Sequence, residues 1–160
     1  MSTSAVPGGD TRAGTTQDPR RSRLAGLLLG IAVMAAVDEI VFHQLLGWHH
    51  FYDRSTPDVA LLSDGLLHTA ELVVLVAGFF VLADVRAERA LDRTRAWSGF
   101  FLGAGAFQVF DGVVNHKVLG LHEVRYDVDL LPYDVAWNAA GVVLLVVGAV
   151  LAVRARRRRT

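Results

Sequence analysis

Residues 38–49 read DEIVFHQLLGWH, and residues 111–122, which lie 73 positions later, read DGVVNHKVLGLH. Both copies hold an Asp, two His and a Gly at the same spacing, and each is preceded at the same distance by a GxxxG pair. A shift of 70 positions also aligns Asp64 with Asp134 in the stretches that come next. GxxxG pairs let helix backbones approach closely in membranes. The repeat therefore predicts two tandem helical hairpins related by a pseudo-twofold axis along the membrane normal.

Four apolar stretches contain these motifs and predict membrane spans. Each is 20 to 24 residues long, enough to cross ~30 Å of hydrocarbon as a helix, and helices satisfy their own backbone hydrogen bonds in lipid. The predicted spans are approximately 24–47, 60–83, 97–120 and 134–153. Only 20% of the residues are charged and 52% are hydrophobic, which is too apolar for a water-soluble domain. The predicted fold is all-α, an integral membrane four-helix bundle over residues 24–153.

The charged residues predict the topology of the chain. Thirteen of the 16 Lys and Arg residues precede the first span, separate the second from the third or follow the fourth. The positive-inside rule then places both termini in the cytoplasm. Residues 1–23, which have few large apolar side chains, are predicted to be a disordered cytoplasmic tail, and residues 154–160 a basic cytoplasmic tail. The net charge of +0 gives no indication of a nucleic-acid partner, and the absence of Cys excludes disulfides and thiolate metal sites.

The polar residues inside the predicted spans concentrate at one end of the bundle. All six histidines lie in the half of the membrane away from the arginine clusters. A carboxylate inside the membrane costs roughly 2.5–3.5 kcal/mol on insertion scales, and no Arg or Lys is predicted at the depth of these acids. Their charge must therefore be offset by imidazolium, by a metal ion or by a proton.

We predict a metal centre built in the bundle from facing helices. The candidate metal ligands are His43, His68, His116, Glu71 and Asp38. The groups expected to orient the imidazoles from behind are Glu39, Asp64, Asp111 and Asn115. The remaining candidates, for a second and more exposed metal site or for an entry funnel, are His49, His50 and His122. His49 and His50 are alternatively headgroup contacts at the interface.

Helical spacing groups some of these side chains. At 100° per residue, Asp64, His68 and Glu71 form one stripe on the second span. Asp38 and His43 are about 140° apart on an α-helix, so they are predicted to face different neighbours.

The two halves differ in their ionisable residues, which indicates a function beyond structure. Four groups of the first half have uncharged or altered counterparts: Glu39 aligns with Gly112, His50 with Glu123, His68 with Asn138 and Glu71 with Gly141. Histidine with carboxylate suits Zn, Fe, Mn or Cu(II). The sequence thus predicts a transition-metal site near the outer face, with a redox or metal-handling role but no identifiable reaction.

Other functions fit the same residues. One is a b-type haem with His43 and His116 as axial ligands. Another is a component of proton- or ion-coupled transport, for which four spans would require a homodimer. A third is a structural partner of a larger membrane complex, with the acids and histidines as a hydrogen-bonded polar core.

These motifs resemble an uncharacterised family of bacterial four-span membrane proteins, a domain of unknown function. The resemblance covers about residues 24–153 and is carried by Asp38, HQLLGWHH (43–50), DGLLHTA (64–70), NHKVLGLHEVR (115–125) and Asp134. This chain has Glu123 where the family pattern has a second histidine, and Glu39 where it has glycine. The resemblance implies a multi-pass protein of the bacterial cytoplasmic membrane and implies no activity.

Overall fold

The computed structural model describes residues 17–157, which are helical apart from short connections. The elements are α1 (Pro19–Val37), π1 (Asp38–Leu45), α2 (Pro57–Ala87), α3 (Arg93–Phe110), π2 (Asp111–Val118) and α4 (Leu130–Arg157), where π1 and π2 are π-helical continuations of α1 and α3. The described residues contain no β-strand, only an isolated bridge between Asp18 and Leu91. The predicted all-α fold is therefore confirmed.

Three helical stretches of the described chain are long and apolar enough to cross a membrane. They are Pro19–Leu45, Pro57–Ala87 and Leu130–Arg157. The predicted third span, 97–120, corresponds to α3 and π2, whose hydropathy is lowered by polar residues such as Gln108 and Asp111. Because α3 packs between α1 and α4, it needs less apolar surface than the outer helices. The four predicted spans thus correspond to four helical stretches, three of which have the length and the hydropathy needed to cross a membrane.

The central pair of helices, α1 and α3, is held together by the GxxxG glycines. Gly26 lies against the backbone of Ala96, and Gly99 lies against the backbone of Arg23, so that a Cβ at either glycine would overlap the facing carbonyl. The second glycine of each pair meets the facing helix in the same way one turn later. The residue numbers of these contacts increase together on the two helices, so α1 and α3 are parallel and lie in the same layer.

The outer helices pack on this pair by matching contacts. On one side, a Cβ at Gly78 of α2 would lie 3.1 Å from the backbone N of Leu29. On the other, a Cβ at Gly148 of α4 would lie 2.8 Å from the backbone N of Leu102. The helices are therefore arranged in the order α2, α1, α3, α4, with each outer helix antiparallel to its neighbour.

The helices at the two termini are longer than the sequence predicts. Asp18 accepts hydrogen bonds, both of 3.0 Å, from two backbone N–H groups of the first turn, and Pro19 occupies the start of α1. This cap makes residues 19–23 helical, so the predicted disordered tail does not extend to them. Residues 1–16 lie outside the described residues. At the other end α4 continues to Arg157, and the rest of the predicted basic tail also lies outside the described residues.

Candidate metal centre

In each half of the chain, a π-helical segment brings together an Asp and a His that lie five residues apart. Asp38 and His43, like Asp111 and His116, are five residues apart, and the i→i+5 turn of a π-helix stacks residues at that spacing. His116 Nε2 lies 2.9 Å from Asp111 Oδ2, and His43 Nε2 lies 3.7 Å from Asp38 Oδ2. The prediction that Asp38 and His43 face different neighbours is therefore wrong, because it assumed the narrower turn of an α-helix.

The loop histidines enter the bundle immediately after the π segments. Gly47 and Gly120 both take a positive φ, 58° and 56°, which turns the chain back toward the helix axis. His49 and His122 follow, and both are fully buried. This burial contradicts the prediction of a more exposed site at His49 and His122, and it contradicts the alternative of headgroup contacts at His49.

Each buried loop histidine is anchored by the loop of the other half. His49 Nδ1 lies 2.8 Å from the backbone oxygen of Val124, and His122 Nδ1 lies 2.8 Å from that of Phe51. A carbonyl oxygen only accepts hydrogen bonds, so Nδ1 carries the proton and Nε2 has the lone pair in both neutral rings. A hydrogen bond from Nδ1–H to a carbonyl oxygen is how proteins usually orient a metal-binding imidazole.

Both loop imidazoles are neutral at pH 7. Burial lowers the pKa of His49 from 6.5 to about 2, and the neighbouring His122 and His43 act in the same direction. Burial also lowers the pKa of His122, and its effect exceeds that of Asp111, which acts in the opposite direction. The Nε2 lone pairs are therefore available to a cation without the loss of a proton.

Four imidazole rings form one compact cluster, which we call the histidine cluster: His43, His49, His116 and His122. The rings of His49 and His122 are stacked, with centroids 4.5 Å apart and planes at 3°. His43 lies edge-on to His49 at 4.5 Å, and His116 lies edge-on to His122 at 4.6 Å. Each half of the chain thus contributes one ring of the stack and one ring that flanks it.

The cluster contains buried ligand atoms that have no hydrogen-bond partner among residues 17–157. They are Nε2 of all four histidines, Nδ1 of His116, Asp38 Oδ1 and Asp111 Oδ2. The 2.9 Å contact between His116 Nε2 and Asp111 Oδ2 lacks hydrogen-bond geometry. Three sets of donor atoms lie within 4.8 Å of one another: His49 with His116 and His122, Asp38 with His43 and His49, and Glu39 with His43 and Asp64. An uncompensated buried polar atom is costly, so this concentration of donors favours a bound cation.

Beside the cluster, the first half carries a second group of acids and histidines. His43 Nδ1 lies 3.1 Å from Asp64 Oδ1 and 2.8 Å from Glu39 Oε2, although the latter pair lacks hydrogen-bond geometry. The other oxygen of Asp64 lies 2.6 Å from His50 Nδ1. Glu39 also accepts a 2.9 Å hydrogen bond from Gln44 Nε2. The carboxylates fix the proton of His43 on Nδ1 and leave its Nε2 for the cluster.

In the second half the corresponding space is filled and the acid is paired with a lysine. Lys117 Nζ lies 2.7 Å from Asp134 Oδ2 and 3.0 Å from Glu123 Oε2. A Cβ at Gly112 would lie 2.6 Å from Trp137 Cδ1. Beside the cluster, Asn115 Nδ2 donates a 2.8 Å hydrogen bond to Asp111 Oδ1, so it contacts a carboxylate and not the predicted imidazole.

The predicted ligands His68 and Glu71 lie apart from the histidine cluster. His68 Nδ1 pairs with Glu71 Oε1 at 2.6 Å, and the His68 side chain is 47% exposed. The α2 stripe therefore buries Asp64 and Glu71 but leaves His68 between them at the rim of the bundle. Of the residues that the sequence predicts as ligands, Asp38, His43 and His116 are all buried in or beside the histidine cluster.

One known protein family matches the chain over nearly all of the helical region. Residues 25–155 match the model of a family described as "Predicted membrane protein (DUF2243)". The chain belongs to this family. The DUF2243 match runs from α1 into the last turn of α4 and so includes both π segments and every histidine. No curated protein and no solved structure is significantly similar to the chain.

Proposed function

We propose that the protein is an integral membrane metalloprotein whose transition-metal centre is bound by the histidine cluster together with Asp38 and Asp111. The observation that carries the proposal is the convergence of buried Nε2 atoms without hydrogen-bond partners in the described chain, three of which are held as lone-pair donors by groups bonded to Nδ1. Imidazole with carboxylate suits Zn, Fe, Mn or Cu(II). When bound, the ion would give the protein either redox chemistry or a role in metal handling.

The spacing of the donors supports a bare ion. Nitrogen ligands bind Zn at about 2.0–2.1 Å, which places tetrahedral ligands roughly 3.4 Å apart. The donor atoms of each set lie within 4.8 Å of one another, so a modest contraction encloses an ion. A b-type haem between His43 and His116 is disfavoured, because the stacked rings of His49 and His122 occupy the space between them.

The position of the centre supports a role at the outer face of a bacterial cytoplasmic membrane. The cluster lies at the opposite end of the helices from Arg86, Arg93 and Arg154, and the positive-inside rule assigns the arginine end to the cytoplasm. Matching glycine contacts and matching π segments in the two hairpins support an origin by internal duplication. Duplication explains why each hairpin supplies an Asp and two His to one centre.

Elemental analysis of the detergent-purified protein, with its absorption spectrum, tests the proposal. We expect stoichiometric Zn, Fe, Mn or Cu and no Soret band. The double variant His49→Gln/His122→Gln should lose this metal, whereas His50→Gln, whose ring contacts Asp64 outside the cluster, should retain it. A folded wild-type protein that takes up no metal would instead favour ion-coupled transport or a structural partner in a larger membrane complex.

A further inference from the structure

A cavity of about 500 Å³ lies between π1 and α2, beside the histidine cluster, and we call it the side chamber. Its polar wall is formed by Glu39, Gln44, Asp64 and His68. Ile40, which is exposed, also lines it, so the side chamber lies at the surface of the bundle. None of these residues belongs to the histidine cluster.

Two donors in the side chamber are prepared for a cation. Glu39 is 2% exposed, and its Oε2 has no hydrogen-bond partner within the described part of the chain. His68 Nδ1 is held by Glu71 at 2.6 Å, and a carboxylate in that position leaves the lone pair on Nε2. The carboxylates of Glu39 and Asp64 lie together at a membrane depth where a single acid already costs a few kcal/mol. A divalent cation offsets both charges.

The side chamber is specific to the first half of the chain. The residues that align with Glu39, Gln44 and His68 are Gly112, Lys117 and Asn138. Lys117 neutralises the second-half acids, and the side chains of Trp137 and Asn138 lie against Gly112. The second half therefore has a fixed ammonium group where the first half has an open space and, within the described residues, a buried carboxylate that no Lys or Arg neutralises.

We propose that the side chamber binds a second divalent transition-metal cation through Glu39 and His68, with Asp64 contributing charge. The cation lies next to His43, which faces Glu39 and Asp64 through Nδ1 and the histidine cluster through Nε2. The side chamber is thus placed to receive a cation outside the centre. This inference goes beyond the proposed function, because neither Glu39 nor His68 is a ligand of the centre bound by the histidine cluster.

Equilibrium binding of Co²⁺ to the detergent-purified full-length chain, followed by metal analysis and by the visible spectrum of Co²⁺, tests the inference. The variant Glu39→Gly/His68→Asn copies the second half and should lose one Co²⁺ per chain. Gln44→Lys copies Lys117 and should lose the same ion by placing an ammonium group beside Glu39 and Asp64. Lys117→Gln is the matched control and should keep the wild-type stoichiometry. Elution of each variant at the wild-type volume in size-exclusion chromatography verifies folding.

The outcomes separate the two sites. Loss of one Co²⁺ in both chamber variants, with the remainder lost only in His49→Gln/His122→Gln, supports both proposals. Loss in the chamber variants alone, with no effect of the cluster variant, supports the side chamber and overturns the proposed centre. Unchanged stoichiometry in a folded Gln44→Lys or Glu39→Gly/His68→Asn protein overturns the side chamber.

Discussion

The two hairpins agree at the centre of the molecule and differ at its flanks. Both place an Asp and a His on a π-helical turn, and both bury a second His whose Nδ1 bonds to the loop of the other hairpin. Beside this shared core the first hairpin has Glu39 and a cavity, whereas the second has Gly112, a filled space and the Lys117–Asp134 ion pair.

The difference separates what the centre needs from what only one side uses. Loops that exchange hydrogen bonds require both hairpins, so neither hairpin forms the histidine cluster alone. The flanks obey no such constraint, since each contacts its own outer helix. The second half stabilises Asp134 and Glu123 with a fixed ammonium group, which needs no ligand. In the first half, within residues 17–157, Glu39 has an imidazole beside it but no Lys or Arg.

The largest effect that we expect is on the free energy of unfolding. It arises when each of the aligned residues Glu39 and Gly112 is replaced by the other. Gly112→Glu should destabilise the protein by about 3 kcal/mol or more, because the new side chain overlaps Trp137 and buries an unpaired charge. Glu39→Gly should change stability by no more than about 1 kcal/mol, since it removes a buried acid at the cost of helix propensity. Thermal unfolding in detergent measures both. Equal losses would mean that the flanks are equivalent after all.

A smaller effect should be the same in both halves. Gly30→Ala and Gly103→Ala each place a methyl group against the backbone of the facing helix, and each should cost about 1–3 kcal/mol. Gly65→Ala is the control, because a Cβ there has nothing within 4 Å, and it should be neutral or stabilising. Unequal losses at Gly30 and Gly103 in denaturant titrations would contradict the symmetric packing of α1 and α3.

The smallest effect concerns the pH dependence of the metal-free protein. The pKa of His49 is about 2 in the folded state and 6.5 when exposed. Below pH 6.5 the unfolded chain therefore binds more protons, so the stability contributed by this residue is complete above that pH and declines as the pH falls. His49→Gln should flatten the decrease in the unfolding midpoint between pH 7 and pH 5. A variant with the wild-type slope would contradict the burial of a neutral His49.

Much of the fold could be predicted because it depends on local pattern and on lipid. Span length, the GxxxG pairs and the repeated motif indicated four helices with close packing at the GxxxG glycines. The distribution of the histidines indicated that the polar residues gather at one end of the bundle. These inferences needed only the spacing of residues along each helix and the requirement that buried acids find partners.

The remaining errors arise from tertiary contacts that spacing does not reveal. The π-helical turn was missed because a period of 100° per residue was applied to residues 38–45 and 111–118. A position just after a span predicts greater exposure for His49 and His122, whereas each ring is held inside by a hydrogen bond to the loop of the opposite hairpin. The stripe that His68 shares with Asp64 predicts a ligand of the centre, but both residues line the side chamber.

X-ray absorption at the edge of the bound metal reports the ligands of the ion. We expect nitrogen and oxygen neighbours at about 2.0–2.1 Å, with the outer-shell scattering of several imidazoles, and the loss of this signal in the His49→Gln/His122→Gln variant. A metal in the folded wild-type protein without imidazole scattering, or no metal at all, would contradict the claim that the histidine cluster is a metal centre.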